Sequence, residues 1–111
     1  MKASELRIGN LIHNKQGNIV YVNTNHLTLL SYGIENEFNP IPLTEEWLLK
    51  FGFEKNKKHG YFEFDRLIVA LHDGVDQFYL CDIDIFVKIE TVHHLQNLYF
   101  AIRNKELTLK S

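Results

Sequence analysis

Apolar and polar positions along this chain follow two periods, near two and near 3.6 residues, and their order predicts the elements. Residues 6–22 read as a hairpin. Leu6, Ile8, Leu11 and Ile12 form one arm, with Gly9-Asn10 marking a bulge or bend, and Ile19-Val20-Tyr21-Val22 forms the other. Asn23-Thr24-Asn25 is a turn signal, and Leu27-Thr28-Leu29-Leu30 is expected to be a third strand. Residues 31–42, with Gly33, Pro40 and Pro42, read as an irregular surface connection.

A short helix is predicted over residues 44–51. Thr44 is its expected N-cap, and Glu45 and Glu46 suit the positive end of the helix dipole, as Lys50 suits the negative end. Trp47, Leu48 and Phe51 make its buried stripe, and Gly52 fits the left-handed position after the last turn. Leu43 before the cap is placed to staple against Leu48. Residues 54–60 are polar and basic and read as a turn. Strands are expected at 61–65, 67–72, 77–82 and 83–90, with Asp73-Gly74 turning between the second and third. In the last, Ile83, Ile85, Val87 and Ile89 alternate with Asp84, Phe86, Lys88 and Glu90. A longer helix is predicted over 91–104, because Leu95, Leu98, Tyr99 and Ile102 recur at one helical face. The fold class is therefore α+β. An antiparallel, partly curved sheet (N-terminal hairpin plus C-terminal meander) packs with two helices, the longer one C-terminal and laid over the meander, in a single domain, 1–111.

Composition narrows the function. The 111 residues include eight Phe and five Tyr, a rich aromatic content that suits a packed sheet or an interface. A formal net charge of -2 argues against nucleic-acid capture by bulk charge. No apolar run approaches the ~18 residues of a membrane span, and no signal-peptide pattern opens the chain. Cys81 stands alone, so neither an internal disulfide nor a cysteine zinc site is available, and it reads as an inert thiol. A cytoplasmic location, with no cofactor, is the resulting expectation.

Candidate chemistry is sparse. His93 and His94 are adjacent and diverge on a helix, and no His-Glu-x-x-His spacing occurs, so no metal site is expected. Asp82 and Asp84 share one face of an extended strand, where a solvated outer face explains them. Ser4, Ser31 and Ser111 lack a nucleophile elbow, and the glycines form no phosphate loop. A catalytic site assembled from distant segments stays open, but the pattern favours a non-enzymatic binder. Lys55, Lys57, Lys58 and His59 make a basic loop, and Tyr61, Tyr79 and Phe86 offer aromatic faces for stacking. Glu63, Asp65, Asp82 and Asp84 set carboxylates among them, which disfavours phosphate and makes nucleic acid the weakest reading.

The outer face of the C-terminal helix is the leading candidate for recognition. His93, Gln96, Asn97, Phe100, Arg103 and Asn104 occupy positions where Lys and Glu would serve an ordinary solvent face. Amides, an imidazole, a ring and a guanidinium suit a nucleotide-like small molecule, or the centre of a protein interface. The same face packed on the N-terminal hairpin would be simply core and rim.

Three stretches belong together: Glu5-Leu6-Arg7-Ile8-Gly9-Asn10, then Pro40-Ile41-Pro42-Leu43-Thr44-Glu45-Glu46-Trp47-Leu48, then His94-Leu95-Gln96-Asn97-Leu98-Tyr99-Phe100 followed by Glu106-Leu107. The pattern resembles a group of uncharacterised small bacterial and phage-associated proteins. The resemblance spans nearly the whole chain and carries over no catalytic residue. It implies a counter-defence binder that sequesters a nucleotide-like small molecule or docks on a protein, with a protein-interaction module acting as a homo-oligomer as the alternative.

Overall fold

The computed structural model describes residues 3–33, 38–71, 77–82 and 85–110. The chain divides into two compact units. The first comprises Met1–Pro42 and Thr91–Glu106, the second Leu43–Glu90 and Leu107–Ser111. Antiparallel sheets and helices make the α+β class, with the longest helix C-terminal.

In the first unit, strands β1 (Leu11–Asn14) and β2 (Ile19–Tyr21) form the expected hairpin, pairing Leu11 with Tyr21 and His13 with Ile19. The expected third strand at Leu27–Leu30 is instead a helix, α1 (Thr24–Ser31). Asn23 decides it. Its side-chain oxygen accepts from the His26 amide, and the His26 ring accepts from the Asn23 amide, a reciprocal cap that satisfies two orphan donors. Helical spacing then turns Leu27 and Leu30 onto a core of Leu6, Ile12, Val22 and Phe38. The connection expected to be irregular contains β3 (Phe38–Asn39), which pairs with β1 and gives the order β2-β1-β3.

The C-terminal helix, α3 (Val92–Arg103), carries Thr91 as N-cap and ends on Asn104 in the left-handed region. It belongs to this first unit and packs on β1, where the sequence pattern placed it over the meander. Its buried stripe is Val92, His93, Leu95, Gln96 and Tyr99, while Leu98 and Ile102 are only half-buried. The stripe is rotated toward the polar residues because β1 and the segment before it offer backbone groups that amides can satisfy.

The second unit is the meander. Helix α2 (Glu45–Lys50) starts at Thr44, whose hydroxyl accepts from the Trp47 amide. It stops at Gly52 (φ +98°), where the Phe53 amide donates to Leu48 and the Gly52 amide to Leu49. Five strands follow in sequence order: β4 (Glu54–Lys55), β5 (Phe62–Phe64), β6 (Leu67–Leu71), β7 (Phe78–Asp82) and β8 (Ile85–Ile89). β4 lies in the segment expected to be a turn; pairing of Glu54 with Glu63 and Lys55 with Phe62 makes it the first strand. The Asp73-Gly74 turn, Ile83 and Asp84 lie outside the described residues. One face of the sheet buries Phe62, Leu67, Val69, Phe78, Leu80 and Ile89, and Trp47, Leu48, Phe51 and Phe53 are buried in the same unit. Among the described residues no helix is long and apolar enough to cross a membrane.

Candidate functional site

The α3 residues singled out by composition meet the segment running from Glu5 to Leu11. Gln96 is buried, and its amide oxygen accepts from the Leu11 backbone amide at 2.8 Å and from Asn10 Nδ2 at 3.4 Å. Its Nε2 donates to the Gly9 carbonyl at 3.4 Å. Asn97 Oδ1 accepts from Asn10 Nδ2 at 2.9 Å and Arg7 Nη1 at 3.3 Å, and its Nδ2 donates to the Glu5 carbonyl at 2.9 Å. The Arg7 guanidinium lies 3.9 Å from the centre of the Phe100 ring and pairs with Glu106. This is a cation–π stack on a half-buried ring.

His93 is buried, with Nε2 3.7 Å from Glu5 Oε1 and Nδ1 without a hydrogen-bond partner among the described residues. Burial pushes its pKa below the ordinary 6.5, against the upward pull of the Glu5 carboxylate. Asn104 is exposed and serves as the α3 cap, and Arg103 is half-buried in the last turn. Of the six candidates, His93, Gln96, Asn97 and Phe100 are therefore brought together, facing the protein's own N-terminal segment. Arg7, Asn10 and Glu106, which link that segment to α3, carried no role in the sequence reading. Two of the three stretches that belong together in sequence, 5–10 and 94–100, meet here in space. A small molecule at this place would have to replace bonds already made.

The second candidate lies on the other face of the five-stranded sheet. The strand register aligns one row across all five strands: Glu54, Glu63, Ile68, Cys81 and Phe86. A second row runs Ala70, Tyr79 and Lys88. Tyr61 and Asn56 extend it, for the Asn56 amide donates to the Tyr61 carbonyl and Asn56 Nδ2 to the Tyr61 hydroxyl. Phe86 is 70% exposed and stacks nearly flat on Tyr79, with ring centres 4.8 Å apart and 10° between planes. Ile68, Cys81 and Tyr79 are half-buried. Burial pushes the Cys81 thiol up, away from nucleophilic use.

A groove of about 540 Å³ opens toward the β4–β5 end, lined by Glu54, Lys55, Asn56, Glu63, Phe64 and Asp65 among others. The face thus has the projecting Phe86 ring and the Lys88–Glu90 ion pair at one end, half-buried Ile68 and Cys81 in the middle, and a groove lined by both carboxylates and Lys55 at the other. Tyr61, Tyr79 and Phe86 were legible as aromatic candidates. The roles of Ile68, Cys81 and Lys88 were not, since only the register aligns them. Among the described residues, no group of three His, Cys, Asp or Glu side chains could hold a metal ion. No protein-family model, curated protein or solved structure matches the chain.

Proposed function

We propose that this is a non-enzymatic protein-interaction module that acts as a homo-oligomer through the open face of its five-stranded sheet. The observation that carries this reading is the exposed Phe86 ring stacked on Tyr79 at the end of a half-apolar sheet face. An exposed aromatic set among half-buried apolar neighbours is the composition of an interface centre. The α3 face supports a nucleotide-like ligand less well, because Gln96, Asn97 and Phe100 are engaged with residues 5–11. A cytoplasmic setting and a counter-defence role belong to the same proposal: a small binder that occupies its target without cleaving it.

The test is sedimentation or light scattering across a concentration series, on the wild type and on Phe86→Ser. The wild type is expected to gain mass toward a dimer. The variant, folded by circular dichroism, is expected to stay monomeric. A wild type that remains monomeric at every concentration, or a Phe86→Ser chain that associates equally well, refutes the reading.

A further inference from the structure

We propose that the short 3₁₀ turn Ala3–Glu5 is an acid-released cover over His93, hinged at Leu6. The device lies within the first unit and is independent of the homo-oligomer reading. Three light contacts hold the turn down. Ala3 packs, partly buried, on the core of Leu6, Ile12, Val22, Leu30 and Phe38. The Glu5 carbonyl accepts from Asn97 Nδ2 at an exposed position, and the Glu5 carboxylate lies beside the His93 ring. Leu6 is buried in that core, and the Gln96 bonds to Gly9, Asn10 and Leu11 lie beyond it. Lifting the turn therefore breaks few contacts and leaves the rest of the segment on α3.

His93 supplies the trigger. Its neutral imidazole has a single N–H, which at Nε2 faces Glu5, and Nδ1 is then a buried acceptor with no partner among the described residues. The imidazolium carries an N–H on both nitrogens, so protonation under the turn buries an unpaired charged donor at Nδ1. With the turn lifted, both N–H groups reach water. The neighbours do not offset this cost. Glu5 is the one carboxylate acting on His93 among the described residues, and its side chain is 49% exposed, where water screens it. His94 on α3 and the amino terminus oppose a charge on the ring. Arg7 from the adjoining segment and His13 from β1 bring no anion.

The sign follows from which form each state favours. Burial outweighs Glu5 and holds the covered His93 below the ordinary 6.5. The lifted state binds the proton more readily, so the cover is closed above pH 6.5 and opens as pH falls through the lower, covered value. Opening bares the His93 ring and Asn97 Nδ2, two polar groups of α3 that the chain otherwise occupies itself.

The experiment is an NMR pH titration of the full-length chain, following the His93 ring, the Ala3 methyl and, as reporters of the core behind the turn, the Ile12 and Val22 methyls. The Ala3 methyl is expected to lose its displacement from the random-coil position with the same midpoint as His93, below pH 6.5, while Ile12 and Val22 stay in place. In His93→Gln, which carries no titrating ring, the Ala3 methyl is expected to stay packed over the same range. An Ala3 methyl that does not move as His93 titrates overturns the proposal. So does one that moves only together with Ile12 and Val22, which is unfolding of the unit, or one that moves equally in His93→Gln. If His93→Gln fails to fold, Glu5→Gln decides. Losing the carboxylate that favours the imidazolium is expected to shift the Ala3 midpoint to lower pH, and an unmoved or raised midpoint refutes the cover.

Discussion

Gln96 puts one side-chain oxygen on the Leu11 backbone amide, deep under α3. Leucine at the same place has similar volume but no acceptor, so the Leu11 donor would be buried unpaired. Gln96→Leu is therefore expected to destabilise the fold by about 1–3 kcal/mol, read as a lower urea midpoint with an unchanged m-value. An unshifted midpoint would show that the amide does no structural work. His93 gives a pH signature. The folded chain holds it neutral, mainly by burial, so its native pKa lies below 6.5 while the unfolded value does not. Between those two values the unfolded chain binds more protons, and stability rises with pH there. This contribution is fully present above pH 6.5 and is lost as pH falls through the native pKa. Comparing wild type with His93→Gln at about pH 7.5 and about pH 5 isolates it. The wild type should lose more stability on acidification, and equal losses would count against a buried neutral imidazole.

At the scale of elements, caps outweighed periodicity. The α2 boundaries were legible because Thr44, Glu45, Lys50 and Gly52 each carry a local reason for their place. Gly52 sits at φ +98°, and a Cβ there would lie 3.4 Å from the Phe64 ring. Gly52→Ala is expected to cost about 1–2 kcal/mol from the backbone conformation alone, seen as a depressed thermal midpoint. A neutral result would mean that the helix end re-forms differently. α1 was misread because Leu27-Thr28-Leu29-Leu30 fits either period over so short a run. The Asn23–His26 reciprocal cap settled it, with a histidine where the usual box has Glu or Gln. β4 escaped notice because two residues carry no period at all, and its pairing with β5 defines it.

For the whole molecule, the order of elements and the order of packing differ. The segment Thr91–Glu106 comes last but one in sequence and returns to the unit of Met1–Pro42. No local signal encodes that return. Self-association would act on the molecule as a unit: a dimer that binds only the folded chain raises the thermal midpoint with protein concentration. Thermal midpoints across a concentration series therefore test the proposed self-association independently of sizing, and Phe86→Ser should abolish any concentration dependence.

The sequence by itself determined the α+β class, the hairpin, the meander strands β5 to β8, and the capped helices α2 and α3. Each rests on interactions among residues close in the chain, which leave a period or a cap in the pattern. The tertiary structure alone decided which sheet α3 covers, and hence that His93, Gln96, Asn97 and Phe100 face residues 5–11. It also decided that Glu54, Glu63, Ile68, Cys81 and Phe86 form one row. Those juxtapositions depend on strand register and on long-range burial. Both are set by how the apolar surfaces of distant segments fit, a quantity that local spacing does not carry.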